Sequence, residues 1–376
     1  MKMNPTLEIS LKNLTYNYKN LEKRFPNFWA VLKDNAYGLG ISEVSFALFK
    51  SGCRKFLVAN LQEALAIKKM IKSKNYEIAV LEGFFSDSDA KIFLKNKFIP
   101  FLSTIKQIDI WKKNNGGKNF AIFLETGLNR FSLRNNELNY LINNLNGEIR
   151  LVISHLACAR NNKNKRNLDQ KKEFDKMCSL IEKKLKIKEK SLSSSEAIFN
   201  LDKSFLYDSV RIGSALYGFS REINDGYGLK NIVSFKAPII KEFIARKGDY
   251  IGYGDDCILS SDRRIGILNL GLANGLYRSM SNKSYLFCKK NREIFDIPVV
   301  GRITMEYTTI DMSLVPFLKS GEFVYLFDYD HHIKDRMDNF NYEDIIPRIN
   351  SSKPVPYHKE FILYSNDSKN NIIYVK

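Results

Sequence analysis

Between Phe28 and about Phe219, short apolar runs alternate with stretches whose apolar residues recur at helical spacing, at intervals of roughly twenty to thirty residues. The runs are FWAVLK, KFLVAN, EIAVLEG, FIPFLS, FAIFLET, RLVISHL, KSLSSS and SVRIGS. Between them, LQEALAIKKMIKS sets Leu61, Ala64, Leu65 and Ile67 on one apolar stripe with lysines opposite, the pattern of a helix with one face buried. Eight such strand and helix units predict a (β/α)8 TIM-type barrel with its chemistry at the carboxyl ends of the strands.

After Gly218 the texture changes. IVSFKAPIIKEFIA, YIGYGDDCIL, RRIGILNLGLANG and IPVVGRITMEYTTIDM are β-rich, punctuated by glycine and short of helical periodicity. They predict a C-terminal mostly-β domain over residues 226–376, with the barrel occupying 1–225. No internal repeat is visible.

Length suits this division, because 376 residues exceed one ordinary core but accommodate a large barrel and a smaller domain. With 44% hydrophobic and 12% aromatic residues, the chain can bury both cores. The net charge of +18 raises nucleic-acid binding as an alternative, but the lysines are spread along the chain. In KNKRNLDQKKEFDKM and IEKKLKIKEK they mix with acidic residues at helical spacing, as on solvated helix faces. No zinc pattern, recognition helix or aromatic RNA motif accompanies the charge, so a nucleic-acid partner is not expected. A basic field favours anionic cofactors instead. The five cysteines are odd in number and show no CxxC spacing, which argues against a disulfide framework or a metal site. The start lacks a signal-peptide core, and no window has the apolar length of a membrane span. A soluble, cytoplasmic protein is expected.

Lys33 raises the chemical question. In AVLKDNAYGLG it ends an apolar run and is followed by turn residues, which puts an amine where a barrel strand opens into a loop. Alone, it reads more readily as a surface lysine snorkelling at a strand end. Other polar groups fall at the predicted strand ends as well: Glu125 to Arg130 in LETGLNR, His155 in ISHLACAR, Ser194 and Ser195 in SLSSSEA, and Arg211 with Gly213 in VRIGSALYG. Serine hydroxyls and glycine amides at the seventh and eighth units suit a phosphate. An amine facing a phosphate across a barrel mouth points to pyridoxal phosphate.

AVLKDNAYGLG, LETGLNRFSL, VRIGSALYG, the GYG of 252–254, GLANGLYR and VGRITMEYTTIDM occur in the order and rough spacing of the alanine racemase family, pyridoxal-phosphate enzymes of fold type III. The opening LEISLKNLTYNYKNL also resembles that family's first strand and helix. The resemblance implies an isomerase that interconverts L- and D-alanine, or a similar small amino acid, within D-alanine biosynthesis. It implies that Lys33 carries pyridoxal 5'-phosphate covalently and serves as one acid-base group. Tyr37, Ser195, Gly213, Ser214 and Tyr342 (in FNYEDIIPRI) are then the phosphate holders. Arg211 faces the pyridine nitrogen, and His155 lies near the ring. Arg130 takes the substrate carboxylate, with Met305 close to it. A homodimer with its active site at the interface is implied as well.

The departures are local. Racemisation by this family uses two bases on opposite faces of the substrate, because a proton must leave one face and arrive on the other, and the second base is a tyrosine of the partner subunit in a motif near G-Y-A-D-G-Y-P-R. Here the segment from Gly271 to Arg278 puts Leu272 at that tyrosine's place. Phe123 stands where many members carry a carbamylated lysine, Arg160 replaces an acidic residue, Ser194 an asparagine and Leu39 a histidine. Two readings follow. Either racemisation persists with Tyr277, Tyr307 or a water as second relay, or the chain binds pyridoxal phosphate but has lost efficient racemisation and retains chemistry on one face. Tyr277 lies five residues past Leu272, on the opposite face if the segment is extended, which weakens the first reading.

Overall fold

The computed structural model describes residues 4–114, 119–219, 226–331, 345–346 and 371–375. The chain divides into two compact units, one of Leu14–Ala36 and Gly40–Leu229, the other of Met1–Asn13, Tyr37–Leu39 and Lys230–Lys376.

The first unit is built on parallel strands: Phe28–Val31, Lys55–Val58, Glu77–Val80, Ile99–Leu102, Phe120–Phe123, Glu148–Ile153, Lys190–Ser191 and Val210–Ile212. Each of the first six pairs with its successor, Lys190–Ser191 pairs with Glu148–Ile153, and Val210–Ile212 returns to Phe28–Val31. A parallel bridge between Ser194 and Arg211 joins the last two and completes the ring. The fold is therefore the expected (β/α)8 barrel. The last two strands are only two and three residues long. Around them, Ser193 donates its hydroxyl to the Phe205 carbonyl at 2.9 Å, and the Ser191 hydroxyl accepts from Arg211 at 2.9 Å.

The helices follow from local signals. Asn60, Ser86 and Thr104 cap Leu61–Met70, Asp87–Asn96 and Ile105–Lys113 by accepting the amides of Glu63, Asp89 and Gln107, which supplies partners for otherwise orphaned donors. Their inward stripes bury Ala64 and Ile67, Ala90 and Phe93, and Ile108 and Trp111. The opposite faces carry the lysines.

At the amino ends of the strands lies a buried polar knot. Glu189 accepts from the Trp29 indole at 2.7 Å, from Lys55 at 2.7 Å and from Arg150 at 2.6 Å, and Arg150 also pairs with Glu77. The guanidinium of Arg150 and the ammonium of Lys55 each sit 5.4 Å from the Trp29 ring. This is the end of a barrel where polar residues serve stability.

The second unit is organised by one long strand, Val233–Ala245. Its first half pairs with Thr6–Ser10 and Phe323–Phe327, and its second half with Arg263–Leu268 after a register shift between Ile239 and Lys241. Thr6–Ser10 also pairs in parallel with Asn371–Val375. Tyr285–Lys290, Glu293–Pro298 and Thr308–Asp311 complete the mostly-β unit. Among the described residues no helix is long and apolar enough to cross a membrane.

Candidate active site

Lys33, Arg130, His155, Ser195, Arg211, Gly213 and Ser214 all lie at or just beyond the carboxyl ends of barrel strands, so the parallel ring carries them to one mouth. Lys33 follows Phe28–Val31 after Leu32, whose amide bonds the Leu57 carbonyl of the next strand at 2.8 Å. The chain then makes a left-handed turn: Asp34, Asn35, Ala36 and Tyr37 have φ of 55°, 56°, 55° and 58°. None is glycine, and each costs about 1–2 kcal/mol in that conformation. The turn is held from outside. Glu63 accepts the Asn35 amide at 2.8 Å with one carboxylate oxygen and the Ala59 amide at 2.8 Å with the other. Burial raises the Glu63 carboxyl above its ordinary range, against the lowering effect of those amides.

Arg130 sits in the loop after Phe120–Phe123. Glu125 braces that loop, accepting from the amides of Gly127 at 2.6 Å, Asn129 at 2.9 Å and Arg130 at 3.3 Å and from the Ser132 hydroxyl at 2.6 Å. Burial opposes its charge, but these bonds prevail and hold the Glu125 carboxyl below its usual value. The Arg130 guanidinium lies 5.8 Å from the centre of the Phe123 ring. Phe123 therefore meets the arginine with its π face, an attraction of about 0.5–1 kcal/mol at an exposed site.

His155 follows Glu148–Ile153. Gln170, buried in the helix Lys165–Glu182, donates to the His155 carbonyl at 2.9 Å and to the Thr126 hydroxyl at 3.3 Å, and accepts the Ala157 amide at 2.9 Å. It ties the loops of Arg130 and His155 together. Desolvation first, and then the charges of Arg211, Arg130 and Lys33, push the imidazole down to about 3. His155 is thus neutral throughout the physiological range, and the charged groups acting on it are all cations.

Arg211 is buried. Its hydrogen bonds go to neutral oxygens: the Ser191 carbonyl and hydroxyl, the Leu192 carbonyl at 3.1 Å and the Ser154 carbonyl at 2.5 Å. Burial and then Arg130 push it down to about 9, which still leaves it charged at neutral pH. Beside it, the Ser195 hydroxyl accepts the Gly213 amide at 3.0 Å and the Ala215 amide at 3.4 Å, placing a hydroxyl and a run of amides together. Tyr217 anchors the segment by donating to the Val31 carbonyl at 2.8 Å. A mouth with an amine, two arginines, a neutral imidazole and a hydroxyl among amides suits an anion bearing a carbonyl carbon that the amine can attack. The residues fit such a cofactor.

In the second unit, Leu272 and Met305 are brought together. The Leu272 amide bonds the Thr304 carbonyl at 3.0 Å, and Ala273 bonds the Met305 carbonyl at 2.9 Å. A Cβ on Gly271 would lie 2.4 Å from the Met305 carbonyl oxygen, so only glycine permits this approach. Asn274 closes the turn by accepting the Gly271 amide at 2.8 Å. Leu272 is 6% exposed; Tyr277 is half-buried and Tyr307 exposed. Tyr37 ends the left-handed turn, and Tyr342 lies outside the described residues.

Glu63 and Gln170 escaped the sequence reading. Glu63 stands three residues after the helix cap Asn60, where an acidic residue reads as an ordinary capping box, and nothing in the sequence says that its carboxylate reaches Asn35. Gln170 lies in a lysine-rich helix with no local mark of its burial.

Two family descriptions match the chain: "Alanine racemase, N-terminal domain" over residues 9–221 and "Alanine racemase, C-terminal domain" over 232–351. The alanine racemase of Rickettsia canadensis is 34% identical over 321 residues, spanning 83% of this chain and 86% of that protein. That of Brucella canis is 30% identical over 354 residues, spanning 88% of this chain and 87% of that protein. The crystal structure of alanine racemase from Bartonella henselae with covalently bound pyridoxal phosphate superimposes with a TM-score of 0.84 at 25% identity, over 99% of both chains.

Proposed function

Because the chain belongs to the alanine racemase family, we propose that it is a pyridoxal-phosphate-dependent racemase of alanine or a similar small amino acid, with Leu272 supplying no proton on one side of the substrate. The observation that carries this reading is the mouth of the barrel, where the carboxyl ends of the parallel strands bring together Lys33, Arg130, His155 and Arg211. When bound, pyridoxal phosphate acidifies the substrate Cα by drawing off its electrons.

The chain's own residues do the rest. Ser195 with the amides of Gly213 and Ser214, together with Tyr37 and Tyr342, holds the phosphate. Arg211 would be the residue set against the ring nitrogen, where its charge would resist protonation and favour rapid return of the proton to Cα over side reactions. Arg130 binds the substrate carboxylate beside Met305. Lys33 moves a proton to or from Cα through Nζ on its own face. Leucine has no group with which to do the same at 272. Its presence favours the second reading, in which inversion is slow and one-face chemistry remains.

The test is to follow α-proton exchange in deuterated water from L- and D-alanine separately, alongside optical inversion. Purified protein is expected to take up pyridoxal phosphate, to be trapped at Lys33 by borohydride, and to exchange the α-proton of one enantiomer about 10²–10⁴-fold faster than it inverts it, the usual worth of one general base. Equal rates of exchange and inversion would show a working second base. A chain that ignores pyridoxal phosphate and binds polyanions in a salt-dependent manner would return the nucleic-acid reading.

The proposal includes a two-fold homodimer, in which each β-rich unit completes a neighbour's site. Sedimentation at micromolar concentration is expected to give twice the chain mass; a stable monomer speaks against it.

A further inference from the structure

We propose that Glu63 is a positioning residue whose carboxylate clamps the left-handed turn after Lys33 and thereby fixes the direction of the Lys33 amine. The inference rests on the reading of Lys33 as the cofactor lysine. Its basis is geometric. Four consecutive non-glycine residues, Asp34 to Tyr37, hold positive φ, a conformation that persists only where the surroundings impose it. Within the turn, Ala36 bonds back to the Leu32 carbonyl at 2.9 Å, Gly40 bonds the Asn35 carbonyl at 3.0 Å, and the Asn35 side chain accepts the Ile41 amide at 2.9 Å. The Asn35 amide is taken by Glu63 Oε1 at 2.8 Å.

The same carboxylate accepts Ala59 through Oε2 at 2.8 Å, just past the strand Lys55–Val58. One side chain therefore joins the loops after two neighbouring barrel strands. The side chain of Asn60 caps the helix Leu61–Met70 by accepting the Glu63 amide at 3.1 Å. A carboxylate suits the task because both of its oxygens accept and neither donates. Glutamine would present one oxygen and an NH₂ group, and the latter would confront one of the two amides donor to donor.

The experiment compares Glu63→Gln with Asn60→Ala, which removes the cap of the same helix without touching Asn35. Glu63→Gln is expected to release pyridoxal phosphate roughly twofold to tenfold more readily, the factor set by the loss of one hydrogen bond at an exposed amide, and to shift the pH at which the absorbance of the lysine-bound cofactor changes. Asn60→Ala is expected to lower the melting temperature and leave both readings unchanged. In the cofactor-free chain, amide hydrogen exchange across residues 33–40 is expected to quicken in Glu63→Gln by a similar factor and not in Asn60→Ala. Adding Asp34→Gly, which removes one Cβ from the strained turn, is expected to recover part of the lost affinity.

Exchange across 33–40 that is equally fast in wild type and Glu63→Gln would overturn the clamp whether or not cofactor binds. So would a Glu63→Gln protein that differs from wild type only in melting temperature. If wild type takes up no pyridoxal phosphate while the exchange difference stands, the cofactor reading falls and the clamp does not. Should Glu63→Gln fail to fold, Glu63→Asp, which keeps both acceptors on a shorter arm, is expected to fold with intermediate exchange and affinity; wild-type values for both would count against the clamp.

Discussion

Leu272→Tyr is expected to raise inversion of alanine by about 10²-fold or more, within the range that one general base contributes, with pyridoxal phosphate binding unchanged. The substitution restores a hydroxyl at the place where the family resemblance puts the second base, opposite the face served by Lys33. The loop is ready to present it, since Gly271 and Asn274 close the turn and backbone bonds pin it to residues 304 and 305. The gain is held below that of an unaltered family member for two reasons. A tyrosine ring in the buried place of Leu272 strains its packing, and Phe123 steadies Arg130 through a ring face instead of a charge, leaving the arginine more rotamers and the bound carboxylate less fixed. Chiral chromatography of the product, run from both enantiomers, measures the change. Wild-type racemisation at an ordinary enzymatic rate, unaffected by Leu272→Tyr and abolished by Tyr277→Phe, would make Tyr277 the second base and end the one-face reading.

The other large effect belongs to stability. Glu189→Gln is expected to destabilise the barrel by about 3–5 kcal/mol at neutral pH, because removing one member of a buried ionic group leaves the others without compensation. Lys55 and Arg150 lose their shared carboxylate, and only Arg150 keeps another, Glu77. Burial by itself would raise the Glu189 carboxyl, but bonds from Lys55 and Arg150 outweigh it and hold it at about 2, against an ordinary value of 4.5. A carboxyl depressed in the folded state stabilises above its unfolded value and loses that contribution as pH falls through the folded one. Wild-type stability is therefore expected to decline between about pH 4.5 and pH 2 with a component that Glu189→Gln lacks. Urea midpoints followed by tryptophan fluorescence across that range decide it, and parallel curves for the two proteins would mean that Glu189 contributes no linkage.

What could be read beforehand follows from how each feature is encoded. The barrel is written in short apolar runs with helical stripes between them, and these survive in a single sequence because burial of a whole strand leaves no choice of residue type. The ring's closure was harder to see, since its last two strands are only two and three residues long. Lys33, His155 and Arg211 were legible as polar residues at strand ends. The left-handed turn was not, because Asp34, Asn35 and Ala36 carry no glycine to announce positive φ, and the carboxylate that imposes it comes from a helix some thirty residues on. Phe123 read as a missing charge; its ring face beneath Arg130 is a matter of orientation, which residue type alone does not convey. The pairing of Thr6–Ser10 with distant strands was equally hidden, since registers between remote segments leave no local trace.

That pairing bears on how the molecule is made. Thr6–Ser10 is synthesised long before its neighbours in the sheet, residues 233–236 on one side and 371–375 on the other. At about 5–20 residues per second, roughly 20–70 s of synthesis separate the first strand from its last partner. The barrel, whose strands pair mostly with their immediate successors, can close during that interval; the β-rich unit cannot. The nascent chain thus carries an apolar strand with one unsatisfied edge until residues 371–375 are made, and a ribosome that stalls shortly before residue 371 releases a product with a sound barrel and a sheet lacking one border.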